Sequence, residues 1–188
     1  MAEGLRGSHR SRAAVTDFLA EVMGGRPFSF LDCGILSGVT IQELRGRGLN
    51  VRYSGIDIWE RALATCGARF PDATWRKMDV NALDFPAGSH DVVHIRAVLE
   101  HLPDYEQAVR EARRCAREWV VLGLFLPLAD ADQPERVIKS RGVLYLNRYG
   151  RTRFVGLLQS LVAEIREQHV VDSTRPHQLF FCRVPSAP

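Results

Sequence analysis

Lysine is almost missing from this chain: Lys77 and Lys139 are the only lysines among 25 basic residues, and arginine supplies the rest. The net charge is nonetheless only +3, too small to point to nucleic acid as a partner. Cysteine is sparse as well. Cys33, Cys66, Cys115 and Cys182 lie far apart with no C-x-x-C pair, so neither a disulfide frame nor a zinc site is expected, and reduced, buried thiols are. Long apolar runs are absent. The longest, Trp119 to Ala129, falls well short of the roughly 20 residues needed to cross a bilayer, so no membrane partner is expected. Met1 to Arg12 is polar and dotted with arginine, without the apolar stretch of a secretory signal. A frayed terminus over residues 1–12 and a cytoplasmic location are the corresponding expectations. No repeat or low-complexity segment interrupts the chain.

What is present fits one globular domain over residues 1–188: 46% hydrophobic and 25% charged residues are ordinary proportions. Helical spacing predicts a helix over Ala13 to Met23, stopped by Gly24-Gly25. Strands are predicted at Phe28 to Cys33, Val51 to Ile58, Thr74 to Met78 and Asp91 to Ile95, with helices at Thr40 to Arg47 and Ala62 to Arg69 between the first three. Beyond them come a helix at Tyr105 to Arg117, an apolar strand at Trp119 to Leu126 and a helix at Phe154 to Ala163. Two strands, Glu164 to Val171 and His177 to Val184, close the chain. Asp130 to Asn147 is the least regular segment and the candidate for a mobile flap. Alternating strands and helices imply an α/β fold with a mainly parallel sheet and helices on both faces. Ligands of such sheets sit beyond the carboxyl ends of the strands, where strand order reverses. Asp32 to Gly38, Asp57, Asp79 and Arg96 to His101 all follow strands and are expected at one cleft.

The most informative stretch is Phe30-Leu31-Asp32-Cys33-Gly34-Ile35-Leu36-Ser37-Gly38, with Asp57 ending the next apolar segment. A strand, a glycine turn and a helix present backbone N–H groups to a ligand, and a carboxylate at the next strand end can hold ribose hydroxyls. Together with Met78-Asp79-Val80, with Phe85-Pro86 and His90-Asp91-Val92-Val93, and with Arg96-Ala97-Val98-Leu99-Glu100-His101-Leu102, the chain resembles a class I S-adenosylmethionine-dependent methyltransferase of the small-molecule type. The resemblance runs from about Phe28 to Leu126. It implies a Rossmann-like seven-stranded sheet whose last strand runs antiparallel, S-adenosyl-L-methionine as cofactor, and methyl transfer to a small-molecule acceptor. It also implies cofactor contacts at Asp32, Gly34, Gly38, Asp57, Ile58, Asp79, Val80 and Arg96. One departure stands out: Leu36 occupies a loop position where the family usually has glycine, so its Cβ restricts φ and pushes bulk toward the cofactor's methionine moiety. A noncatalytic cofactor-binding subunit or regulator on the same fold would also accommodate that residue.

Each candidate has a purely structural alternative. Asp32 and Asp79 could be turn residues, and Trp59 could pack on the sheet edge instead of near the ribose. His101 is the candidate general base, because imidazole titrates near neutral pH, though it could instead bond a neighbouring backbone group. Glu100 and Asp104 are weaker base candidates, Asp104 being better placed to cap the helix near Tyr105. His94 reads as a core or sheet-edge histidine. Arg148, Arg151 and Arg153 could grip an anionic group on the acceptor or form a solvated face. No metal-ligand cluster is apparent. A nicotinamide-dependent oxidoreductase would want a closer G-x-G-x-x-G fingerprint, and an amino-group nucleic-acid methyltransferase an Asn/Asp-Pro-Pro-Tyr motif; neither occurs.

Overall fold

The computed structural model describes residues 10–139, 142–172 and 175–185. Seven strands form one sheet: β1 (Phe28–Cys33), β2 (Val51–Asp57), β3 (Thr74–Lys77), β4 (His90–Arg96), β5 (Ala116–Leu124), β8 (Glu164–Asp172) and β9 (Arg175–Arg183), in the order β3-β2-β1-β4-β5-β9-β8. The first five pair in parallel, and β9 runs antiparallel to both β5 and β8. The α/β, mainly parallel seven-stranded architecture expected from the sequence is therefore present, including the antiparallel last strand. Strand order reverses between β1 and β4, and the loops leaving their carboxyl ends form the natural ligand cleft.

Period-two alternation sorts each central strand between two apolar layers. Phe28, Phe30, Val92, Trp119 and Val121 face one layer; Leu31, Cys33, Val93, Ile95, Val120 and Leu122 face the other. Helix α1 (Arg10–Met23) closes the first layer with Val15, Phe18, Leu19 and Met23, a 3–4 spacing that makes a single stripe. Phe18 stacks on Phe181 at 4.1 Å and meets Trp119 edge-on at 4.9 Å. Helix α2 (Val39–Gly46) adds Ile41 and Leu44 to the same layer. Helices α4 (Glu106–Cys115) and α5 (Arg151–Leu161) cover the opposite face through Ala108, Val109, Ala112, Phe154 and Leu158. Each fully buried Phe or Leu in these layers contributes about 1.5–3 kcal/mol. Helix α3 (Glu60–Arg69) packs Ala62 and Cys66 against Ile35 and Trp75. All four cysteines are buried free thiols.

Two expectations change. The first helix begins earlier than predicted, because Arg10, Ser11 and Arg12, expected within a frayed terminus, already belong to α1; residues 1–9 lie outside the described residues. The Ser11 N–H donates to Asp172 Oδ1 at 3.1 Å and its hydroxyl to Asp172 Oδ2, which pins the start of the helix. The segment from Asp130 to Asn147 is also more regular than expected. Its described residues include a hairpin of β6 (Arg136–Lys139) and β7 (Gly142–Tyr145); the candidate flap's residues 140–141 lie outside the described residues. The stem of the hairpin is tied down. Gln133 and Arg148 exchange backbone hydrogen bonds of 2.8 and 3.1 Å. Asn147 Nδ2 donates to the Leu102 carbonyl at 2.7 Å, and the Tyr149 hydroxyl to the Leu99 carbonyl at 2.7 Å.

Candidate active site

The loop after β1 turns through a sequence of left-handed residues. Gly34, Leu36 and Gly38 have φ of 85°, 45° and 67°. Gly34 is required twice over: by its positive φ, and because a Cβ there would lie 2.3 Å from Val98 Cγ2. Leu36 keeps the turn a glycine would make and accepts a left-handed backbone that costs about 1–2 kcal/mol for an L-residue. Its side chain, 71% exposed, projects outward from the loop. Ala97, at the end of β4, is the second non-glycine residue with positive φ, at 55°. Among the described residues, left-handed backbone at L-residues thus occurs only in the two loops that meet at the point where strand order reverses.

Asp57 closes this arrangement from the end of β2. Its Oδ2 accepts the Leu36 N–H at 3.2 Å and its Oδ1 the Trp59 N–H at 2.9 Å. An ionised carboxylate offers about four lone-pair sites, so these two bonds orient it and leave acceptor capacity facing outward. Beside it, Ile58 and Trp59 are 60% and 59% exposed. Trp59 is therefore not packed on the sheet edge. Together with Leu36 they put three large apolar side chains in solvent around one carboxylate, a juxtaposition that suits a ligand with an apolar ring and polar hydroxyls. Asp79 follows one turn along: Met78 N–H bonds the Asp57 carbonyl at 3.1 Å, and Asp79 Oδ1 accepts the Asn81 N–H at 2.8 Å. Asp79 is a turn residue, but an exposed one. Val80 is buried in the core beside Ile56 and Leu83.

Two predicted contacts are turned elsewhere. Asp32 is only 2% exposed and does not cap the turn. Because β1 alternates, its carboxylate enters the layer under α1 and α2, where His94 Nδ1 donates at 2.8 Å and the Tyr53 hydroxyl donates as well. Burial opposes its ionisation, but the bonds from His94 and Tyr53 outweigh that, so Asp32 titrates below the usual carboxylate range. His94 is the core histidine anticipated from its place within β4. Arg96 follows the same alternation: its guanidinium bonds the Ser11 hydroxyl at 2.7 Å and stands 3.9 Å from Asp172, tying β4 to α1. Neither side chain reaches the outer surface of the loop.

The turn after β4 makes the other side of the cleft. His101 is half-buried, and its Nδ1 lies 2.9 Å from the Tyr145 carbonyl. A carbonyl only accepts, so Nδ1 is the donor, and in the neutral ring the lone pair is on Nε2. Its ring packs on Phe125 at 5.4 Å. Glu100 is fully buried; Oε1 accepts the backbone N–H groups of Phe125 and Leu126, while Oε2 has no partner among the described residues. Burial pushes its carboxyl up to about 7, against the lowering effect of those two N–H groups. Asp104 Oδ1 accepts the Glu106 N–H at 2.7 Å, the helix-capping role expected for it. Of the three arginines after the hairpin, Arg151 forms a two-pronged pair with Glu167, and Arg153 holds Asp104, Glu106 and Asp132. Both are structural. Sequence reading missed Tyr53 and the clamp made by Glu100. Tyr53 carried no motif signal, and only strand register brings it to Asp32.

A family model described as a methyltransferase domain matches residues 31–121, the stretch that holds the loop, Asp57, Asp79 and the turn after β4. Over that stretch the chain matches a methyltransferase family, in line with the class I S-adenosylmethionine-dependent resemblance drawn from its motifs. Among curated proteins, a trans-aconitate 2-methyltransferase of Azoarcus sp. (strain BH72) is 30% identical over 125 residues, 66% of this chain and 48% of that protein. The chain thus spans about half the length of that relative. Among solved structures, a Burkholderia thailandensis 1,6-didemethyltoxoflavin-N1-methyltransferase with bound acceptor and S-adenosylhomocysteine superposes with a TM-score of 0.73 at 15% identity, covering 95% of this chain and 80% of that one. The magnesium protoporphyrin IX methyltransferase of Synechocystis PCC 6803 superposes with a TM-score of 0.73 at 14% identity, covering 94% and 83%. At such identities the likeness carries the fold. Among the described residues no helix is long and apolar enough to cross a membrane, and no group of three metal-ligating side chains occurs.

Proposed function

We propose that this methyltransferase-family chain transfers a methyl group from S-adenosyl-L-methionine to a small-molecule acceptor. The observation that carries the reading is the loop–carboxylate pair: the left-handed turn Gly34–Gly38 hydrogen-bonded through Leu36 to Asp57, with Ile58 and Trp59 exposed beside it. Asp57 has acceptor capacity for ribose hydroxyls, Ile58 offers an apolar face for the adenine, and the unengaged oxygen of Asp79 can accept from an amino group. Gly34 and Gly38 let the loop make its left-handed turn against Val98, Cys66 and Phe70, which sets the backbone beside the ligand. The bound cofactor supplies an electrophilic methyl group on a good leaving group.

On the acceptor side, the lone pair on His101 Nε2 can take the proton of a hydroxyl or amine as it attacks. Its orientation is held by the Tyr145 carbonyl and the Phe125 ring. Most of the acceleration in such a site can come from alignment, for which rigid strand ends are suited. The relative named for trans-aconitate supports a small molecule as acceptor. The exposed Leu36 favours one other reading, a cofactor-binding regulator on the same fold.

Isothermal titration with S-adenosylhomocysteine tests the proposal. Binding is expected, and Asp57→Ala weakens it by about 1–3 kcal/mol through loss of a charged acceptor. Unchanged affinity in that variant removes Asp57 from the site. Binding by the native chain without S-adenosylhomocysteine production from S-adenosylmethionine on any acceptor pool favours the regulator.

A further inference from the structure

Arg148 is the one arginine of its segment left unpaired. Arg151 and Arg153 are consumed in ion pairs, whereas the exposed Arg148 guanidinium has no partner among the described residues. Its backbone is nonetheless fixed by the two-way bonding to Gln133. In an antiparallel ladder, directly opposed residues and those two positions along share a face. Gln133 opposes Arg148, and the Leu146 N–H bonds the Glu135 carbonyl at 2.9 Å, so these four side chains emerge on one side. Asn147, between them, points the other way and is buried against the Leu102 carbonyl.

The face they share lines, together with Phe125 and Leu126, an open cavity of about 300 Å³. That volume lies at the small end of ligand pockets, about 300–1,000 Å³. The Phe125–Leu126 wall is held by the Glu100 carboxylate, and Phe125 carries the His101 ring. The cavity therefore borders the proposed base through one shared aromatic side chain.

We propose that this cavity is the acceptor site and that it takes a small acid bearing one carboxylate and, at its other end, a hydroxyl or ammonium donor. The inference rests on the methyl-transfer reading above. A guanidinium matches a carboxylate with two parallel N–H bonds, and that of Arg148 is in no ion pair among the described residues. Phe125, Leu126, Pro134 and Leu146 supply apolar walls for the carbon skeleton. Glu135 lines the same cavity, and its carboxylate has no partner among the described residues. It attracts a donor and repels a second carboxylate, so the site selects against polyacids by charge.

The test reads cofactor and acid separately. Cofactor binding is measured by calorimetry with S-adenosylhomocysteine. Acid binding is measured by saturation-transfer NMR, with and without S-adenosylhomocysteine, for 3-hydroxybenzoate, 3-aminobenzoate and 3-hydroxybutyrate. Each is compared with its primary amide, and trans-aconitate serves as the polyacid. The native protein is expected to prefer at least one acid over its amide by tenfold or more. Arg148→Ala should erase that preference while leaving S-adenosylhomocysteine affinity unchanged, and Arg148→Lys should restore part of it. Glu135→Gln should improve trans-aconitate binding. Equal binding of acids and amides by the native protein, or an acid preference that survives in Arg148→Ala, overturns the proposal. Absence of S-adenosylhomocysteine binding alongside an Arg148-dependent acid preference overturns the methyl-transfer reading and keeps the acid site.

Discussion

Replacing Glu100 by glutamine should make the protein less sensitive to alkaline pH. In the folded chain the carboxyl is fully buried and titrates at about 7, against 4.5 as the ordinary value. The native state therefore holds a proton that the unfolded chain releases. The sign follows: the contribution of this group is fully present below about 4.5 and is lost as pH rises through about 7. Linkage over that interval amounts to on the order of 3 kcal/mol in total, of which about 2 kcal/mol falls between pH 5.5 and 8.5. Glutamine preserves the geometry, since its carbonyl oxygen can accept from Phe125 and Leu126 as Oε1 does, and it never ionises. Urea unfolding followed by the fluorescence of Trp59, Trp75 and Trp119, at several pH values for both proteins, isolates the effect because the other titrating groups are common to both. The stability of Glu100→Gln relative to the native chain should rise by about 2 kcal/mol from pH 5.5 to 8.5. A difference between the two proteins that stays constant across that range would refute the argument, because it would mean that Glu100 ionises as freely when folded as when unfolded.

Two further outcomes follow from the site. Leu36→Gly removes a left-handed L-residue strain of about 1–2 kcal/mol at the expense of about 0.5–1 kcal/mol of chain entropy, so chemical denaturation should find it equal to or slightly more stable than the native chain; a clear loss of stability would show that the exposed leucine packs usefully. His101→Gln should lower the turnover of a hydroxyl or amine acceptor by about 10²–10⁴-fold and leave S-adenosylhomocysteine affinity unchanged by calorimetry. Turnover within a few-fold of the native rate would confine His101 to holding the Tyr145 carbonyl.

Patterns of short range were enough to read the elements and the fold class from the chain. Phe28–Cys33 stands where the apolar run placed it, and α4 (Glu106–Cys115) falls within the helix predicted over Tyr105 to Arg117. The place of Asp57 beside the glycine turn was legible because a carboxylate at the end of the following strand has a recurrent geometry. Asp32 and Arg96 were harder. A residue at a strand end faces the cleft or the core according to strand parity and to what the neighbouring strands bring across, and here Tyr53, His94, Ser11 and Asp172 lie 21, 62, 85 and 76 positions away from the residues they engage. The hairpin after β5 was read as irregular because its anchors, Gln133 to Arg148 and Asn147 to Leu102, are likewise remote in the chain.

The sequence by itself determined which segments form the main sheet and the helices that cover it, that the sheet is mainly parallel with a nucleotide-type loop, and which carboxylate ends the second strand, because periodicity and turn chemistry act over a few residues. Only the tertiary structure decided that Asp32 and Arg96 serve the core, that Leu36 leans outward, that His101 Nδ1 is bound to the Tyr145 carbonyl, and that Arg148 alone of its segment has no ion-pair partner among the described residues. Those outcomes depend on which distant groups arrive at the same place, and hydrogen bonds and ion pairs, unlike hydrophobic patterning, are satisfied only by a particular partner at a particular distance.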